Sequence, residues 1–71
     1  MNIYRVEYYY LATGMEGNAD ERSYGTVNAN TEEEAADKIA KQEYPIDKMY
    51  GPNDSWSTRD FFKGCLRVTK V

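Results

Sequence analysis

Tyr24-Gly25-Thr26-Val27-Asn28-Ala29-Asn30-Thr31-Glu32-Glu33-Glu34-Ala35-Ala36-Asp37-Lys38-Ile39-Ala40 is the stretch whose reading decides the fold. Its first half has a period of two, with Tyr24, Thr26 and Asn28 on one face and Gly25, Val27 and Ala29 on the other, which predicts a strand. At Thr31 the period changes. Thr31-Glu32-Glu33-Glu34 has the spacing of a capping box, in which the Thr31 hydroxyl accepts from the Glu34 amide and the Glu34 carboxylate reaches back to the Thr31 amide. Three glutamates in a first turn also suit the positive end of the helix dipole. Ala35, Ala36, Ile39 and Ala40 then fall on one apolar stripe. Glu34–Lys38 and Asp37–Lys41 have the i,i+4 spacing of helical ion pairs. Pro45 forces Tyr44 out of helical backbone, so the helix is expected over about 32–43. Its alanine-rich face implies close approach to a sheet.

Working outward, residues 3–11 alternate as well. Tyr4, Val6, Tyr8 and Tyr10 point one way and Arg5, Glu7 and Tyr9 the other, the pattern of a half-buried strand. Ala12 to Arg22 reads as a loop, broken by Gly14, Gly17, Asn18 and Asp20. The two strands then make an antiparallel hairpin with a long connection. At the other end Cys65 to Val71 alternates again, Leu66 and Val68 in, Arg67 and Thr69 out. Between helix and last strand, Gly51-Pro52-Asn53-Asp54 is a turn. Ser57-Thr58-Arg59-Asp60 offers a second capping box and Gly64 a stop, although an extended path for this stretch fits nearly as well. The expectation is one α+β domain over 1–71: a three-stranded antiparallel sheet in β-β-α-β order, one helix on one face, and an irregular insert before the last strand.

A chain of 71 residues buries a small core, so it is usually stapled by disulfides, a metal or a partner subunit. Cys65 is the one cysteine, which excludes an internal disulfide. With no histidine, a zinc site of the usual Cys/His type cannot be built. A tight aromatic core, self-association, or both must serve instead, and seven Tyr, two Phe and one Trp can supply the rings. The N-terminus has no signal-peptide apolar run and Tyr8 to Ala12 is too short to span a bilayer, so no membrane role is expected. The unpaired thiol adds the expectation of a cytoplasmic protein. Net charge is −3, unevenly placed: residues 1–37 hold eight acids and two bases, and residues 38–71 seven bases and four acids.

Lack of histidine removes the commonest catalytic base, and Cys65 has no partner base in the pattern, so it reads as a small buried residue rather than a nucleophile. Ser55, Ser57 and Thr58 are accounted for by turn and cap roles. Glu16-Gly17-Asn18-Ala19-Asp20-Glu21 alternates oxygen-bearing side chains like a calcium loop but lacks the closing glutamate at the twelfth position. No enzyme activity, metal or cofactor is therefore expected. The leading expectation is a module that binds a larger protein or complex through Glu16, Asp20, Glu21, Glu32, Glu33, Tyr9, Tyr24 and Trp56. The acids would steer the encounter and the rings would anchor it. Tyr9, Tyr24, Tyr50 and Trp56 are the rings expected on an exposed surface. The alternatives are a nucleic-acid accessory protein using Arg59, Lys63, Arg67 and Lys70, which the acidic balance disfavours, and a structural homo-oligomer subunit.

Val27-Asn28-Ala29-Asn30-Thr31-Glu32-Glu33-Glu34-Ala35, with Ile39 following, resembles a pattern common in small phage and mobile-element proteins, where a strand runs into a capped helix. Anti-CRISPR proteins and other inhibitors of host defence are of this type. The resemblance implies a stoichiometric binder that occupies a surface on a larger partner, and it carries over no functional residue. The basic second half departs from the strongly acidic DNA-mimic kind. Lys63-Gly64-Cys65-Leu66-Arg67-Val68 also resembles the RNA-recognition-motif stretch in which a basic residue and Gly precede aromatic positions. Here Cys65 and Leu66 replace the first of those aromatics, and the β-α-β-β-α-β order is lacking.

Overall fold

A computed structural model describes residues 1–10 and 20–71. The expectations placed on residues 11–19, Leu11 at the end of the first strand and Glu16 among them, lie outside the described residues. The elements run β1 (Asn2–Tyr10), β2 (Asp20–Ala29), α1 (Glu32–Glu43), β3 (Met49–Tyr50), a 3-10 turn (Pro52–Asp54), β4 (Trp56–Ser57), α2 (Thr58–Gly64) and β5 (Leu66–Lys70). Three strands form an antiparallel sheet in the order β2-β1-β5, so the α+β fold is the expected one. β2 begins at Asp20, which moves Asp20, Glu21 and Arg22 from the expected loop into the sheet. The insert before β5 has regular structure of its own: β3 and β4 pair as a short antiparallel ribbon, and α2 follows.

β2 departs from simple alternation. Arg5 pairs with Thr26 and Glu7 with Ser23, so Val6 faces both Tyr24 and Gly25. Two residues opposite one is a β-bulge. Gly25 takes φ +71 there, a conformation that costs a residue without Cβ little. The extra residue reverses the parity of the strand, so Tyr24 lies on the same face as Val27 and Ala29, the inner one.

α1 starts as its sequence requires. Thr31 Oγ1 accepts from the Glu34 amide at 3.1 Å, but the Glu34 carboxylate accepts from the Asn30 amide instead of that of Thr31. Glu34 also pairs with Lys38 at 3.7 Å. Asp37 does not pair with Lys41: it accepts from Lys63 of α2 at 2.7 Å, a tertiary partner that ties the two helices together. The helix ends at Tyr44, ahead of Pro45.

α2 is a short helix held from outside. Ser57, 5 % exposed, caps it by accepting from the Asp60 amide at 2.9 Å. The Thr58 amide and hydroxyl both donate to the Lys48 carbonyl at 2.9 Å. Arg59 donates through Nε to the Tyr44 carbonyl and through Nη2 to the Pro45 carbonyl, each at 2.7 Å, and so satisfies acceptors just past the end of α1. These bonds aim adjacent residues in opposite directions: Phe62 enters the core and Phe61 stays half exposed.

The core lies between the sheet and the two helices. Tyr4 and Val6 of β1, Ala29 of β2, Ala35, Ile39 and Ala40 of α1, and Phe62 of α2 are buried. Phe62 is its hub. Its ring stacks on Tyr8 at 5.2 Å and meets the edges of Tyr44 and Tyr24 at 5.4 and 6.0 Å. Such pairs add about 0.5–1.5 kcal/mol each beyond area burial. Phe62→Ala should therefore destabilise the fold by about 3–5 kcal/mol, while Phe61→Ala costs under about 1 kcal/mol. Urea unfolding followed by circular dichroism checks this, and equal losses at the two positions would contradict the assignment of Phe62 as hub.

Candidate functional site

The helices cover one face of the sheet. On the other face, alternation presents Ile3, Arg5, Glu7 and Tyr9 from β1, and register fixes their neighbours. Glu7 stands between Ser23 of β2 and Arg67 of β5. In the next row Tyr9 faces Glu21, and its amide donates to the Cys65 carbonyl at 3.1 Å. Glu7, Tyr9, Glu21, Ser23 and Arg67, with parts of Tyr8 and Arg22, line an open hollow of about 290 Å³. Tyr9 is 50 % exposed. Among the described residues the ion pairs are Arg22–Asp20, Lys38–Glu34, and Lys63 with Asp37 and Asp60, so Glu7, Glu21 and Arg67 enter the hollow with none. The hollow thus offers two carboxylates, a guanidinium and a phenol ring to an incoming group.

A second surface lies at the same end of the sheet, on the helix side. Tyr10 meets the edge of Phe61 at 5.7 Å, Phe61 lies 5.9 Å from Trp56, and Trp56 stacks on Tyr50 at 5.0 Å. The four rings form a continuous ridge, between 37 and 52 % exposed. Gly51 holds it in shape. The residue takes φ +85, and a Cβ there would come within 2.9 Å of Ser55 Oγ and 3.0 Å of Trp56 Cδ1. The turn closes through the Asp54 amide to the Gly51 carbonyl at 3.2 Å, with Asn53 left-handed as in type II turns.

The residues expected to bind a partner do not converge on one place. Tyr9 and Glu21 meet in the hollow. Asp20, opposite Tyr10, is held by Arg22 through bonds of 3.2 and 2.9 Å. Glu32 and Glu33 are exposed at the start of α1, beyond the far end of β2, about 25 Å from Glu21 at the rise of a strand. Trp56 belongs to the ridge. Tyr24 is not a surface ring: the bulge turns it inward onto Phe62. The basic set separates too. Arg59 and Lys63 are engaged by the Tyr44 and Pro45 carbonyls and by Asp37, Arg67 faces the hollow, and Lys70, opposite Tyr4, lies on the other face. Glu7, Ser23, Tyr10 and Phe61 escaped the sequence reading. For Glu7 the signal was present, since alternation puts it beside Tyr9. For Phe61 it required a settled helix at 58–64, because only then must adjacent phenylalanines split.

Among the described residues no group of three or more Cys, Asp or Glu side chains could hold a metal ion, and no helix is long and apolar enough to cross a membrane. Cys65 is half buried at the end of α2. No family model, no curated protein and no solved structure matches this chain.

Several protons report on how the core and site are built. Burial raises the Tyr8 phenol above its ordinary value, with Cys65 and Asp20 adding and Arg22, 5.2 Å over its ring, opposing. Burial also raises Tyr24, helped by Glu43 and opposed by Arg22. Among the described residues the enclosed Tyr24 hydroxyl completes no hydrogen bond, with Glu43 and Arg22 near it, and burial is the first cause of its raised value. Lys63 is raised by its hydrogen bond to Asp37, against the cost of burial. All three hold their protons more tightly when folded than unfolded, so their contribution is full below pH about 10 and is lost as pH climbs through the folded values. The melting temperature should fall above pH about 10, with some of the tyrosines ionising late by absorbance at alkaline pH. Tyrosines that all ionised at the free value, with no loss of stability, would contradict the packing of Tyr8 and Tyr24.

Proposed function

We propose that this chain is a non-enzymatic protein-binding module, an inhibitor or modulator of a larger complex, which meets its partner with the open face of the sheet. The hollow at Tyr9 carries this reading. Two elements of the expected contact set, Tyr9 and Glu21, come together there, joined by Glu7 and Arg67, and among the described residues Glu7, Glu21 and Arg67 have no ion pair to break before binding. Glu7 and Glu21 attract a cationic side chain of the partner, and the Tyr9 ring can take it by cation–π contact. Arg67 suits a neighbouring carboxylate of the same partner. The strands beneath hold all four side chains at fixed spacing, so little ordering opposes binding.

The finer reading, an inhibitor of a host-defence complex, rests on the strand-to-capped-helix resemblance of residues 27–35. A nucleic-acid role finds less support, because Arg67 and Lys70 lie on opposite faces of the sheet and Arg59 and Lys63 have structural partners.

The test is capture from the source cells with immobilised wild-type chain, then binding kinetics on whatever is retained. Glu21→Lys should slow association and flatten its salt dependence. Tyr9→Ala should speed dissociation by about tenfold or more. A captured protein that binds both variants like wild type would remove the hollow from the interface, and retention of nucleic acid in place of protein would remove the function.

A further inference from the structure

The ridge of Tyr10, Tyr50, Trp56 and Phe61 has no part in the surface proposed above. We propose that a second copy of this chain covers it, the two ridges meeting across a two-fold axis. Three observations point to this occupant rather than another.

Area comes first. The four rings expose on the order of 400 Å² between them, at roughly 200 Å² or more for each such side chain. That is an anchoring centre for an interface of the standard size of about 800 Å² per partner. The rings are also preorganised, Trp56 by its stack on Tyr50 and by the close turn at Gly51.

Charge comes second. Asp54 and Asp60 are the near neighbours of Trp56 and Phe61 in sequence, and Asp20 stands opposite Tyr10. Lys48 precedes β3, Lys63 pairs with Asp60, and Arg22 pairs with Asp20. A rim of both signs suits a copy of itself, because a two-fold axis can bring each sign against the other. The start of α1, with Glu32, Glu33 and Glu34, has one sign and would repel its own copy.

The third is the thinness of the body. Measured between Cα atoms it spans 38 × 33 Å but only 15 Å in depth. Among the described residues, three of the seven in the core cluster are alanines, and Val6 is the largest side chain buried completely. A domain so built, with neither disulfide nor histidine, gains what it lacks by burying surface against another subunit.

Light scattering from micromolar to near-millimolar concentration reads the proposal directly. The expected mass is twice 8.2 kDa at the upper end, with a melting temperature that rises with concentration. Phe61→Asp should weaken the dimer by about thirtyfold or more, as loss of a central ring does, with circular dichroism unchanged. Should that variant fail to fold, acrylamide quenching of wild-type Trp56, the single tryptophan, decides: quenching that falls as the dimer forms supports the ridge as interface. A monomer throughout overturns the proposal, and so does a dimer that survives Phe61→Asp or leaves Trp56 open to quencher. Glu21→Lys and Tyr9→Ala should leave the mass unchanged, so failure here and failure of the open-face reading are separable.

Discussion

Phe62 reaches the core from a helix of seven residues, and the rest of the structure is arranged around that insertion. Its ring has tyrosines from β1, β2 and the end of α1 against it. So short a helix is not stable alone, because nucleation costs more than a turn or two of hydrogen bonds returns. It exists because Ser57 caps it, Thr58 ties it to Lys48, Arg59 ties it to the end of α1, and Lys63 ties it to Asp37. All of these but the Ser57 cap cross between segments, so α2 depends on the remainder being in place.

The bulge at Gly25 serves the same hub. Without the extra residue, β2 would present either Tyr24 or Val27 and Ala29 to the helices, but not all three. With it, Tyr24 closes over Phe62 while Ala29 still lies under α1. An enclosed phenol that completes no hydrogen bond among the described residues is the cost of that arrangement, typically about 1–3 kcal/mol for a neutral polar group. Three edge and stack contacts around one ring are of the size needed to offset it.

The same geometry sorts the surface. A helix turns about 100° per residue, so fixing Phe62 inward sends Phe61 outward, where Tyr10 and Trp56 extend it into a ridge. A strand alternates, so burying Tyr8 sends Glu7 and Tyr9 to the open face. Both candidate surfaces therefore follow from how one ring enters the core, and both lie at the Tyr9–Tyr10 end of the sheet. They are chemically unlike: one is charged, with a single ring, and the other is aromatic with a mixed rim. That difference is why they are assigned to different partners.

Local chemistry was enough to read α1, β1, β5 and the α+β class, since caps, helical spacing and period-two alternation involve neighbours a few residues apart. It was enough too for Tyr9 and Trp56 as surface rings. Tyr24 could not be placed from sequence, because parity counts residues and a bulge adds one that only the partner strand reveals. Asp37 reads as a helical partner of Lys41 until α2 brings Lys63 to 2.7 Å. Whether 58–64 coils or extends, and hence which phenylalanine is core, was decided by Lys48, Tyr44 and Pro45, which are distant in sequence. The sequence determined which elements could form and which faces were apolar. The tertiary structure decided which rings met and which stayed exposed, because contacts between separated segments depend on register and docking, and neither is encoded locally.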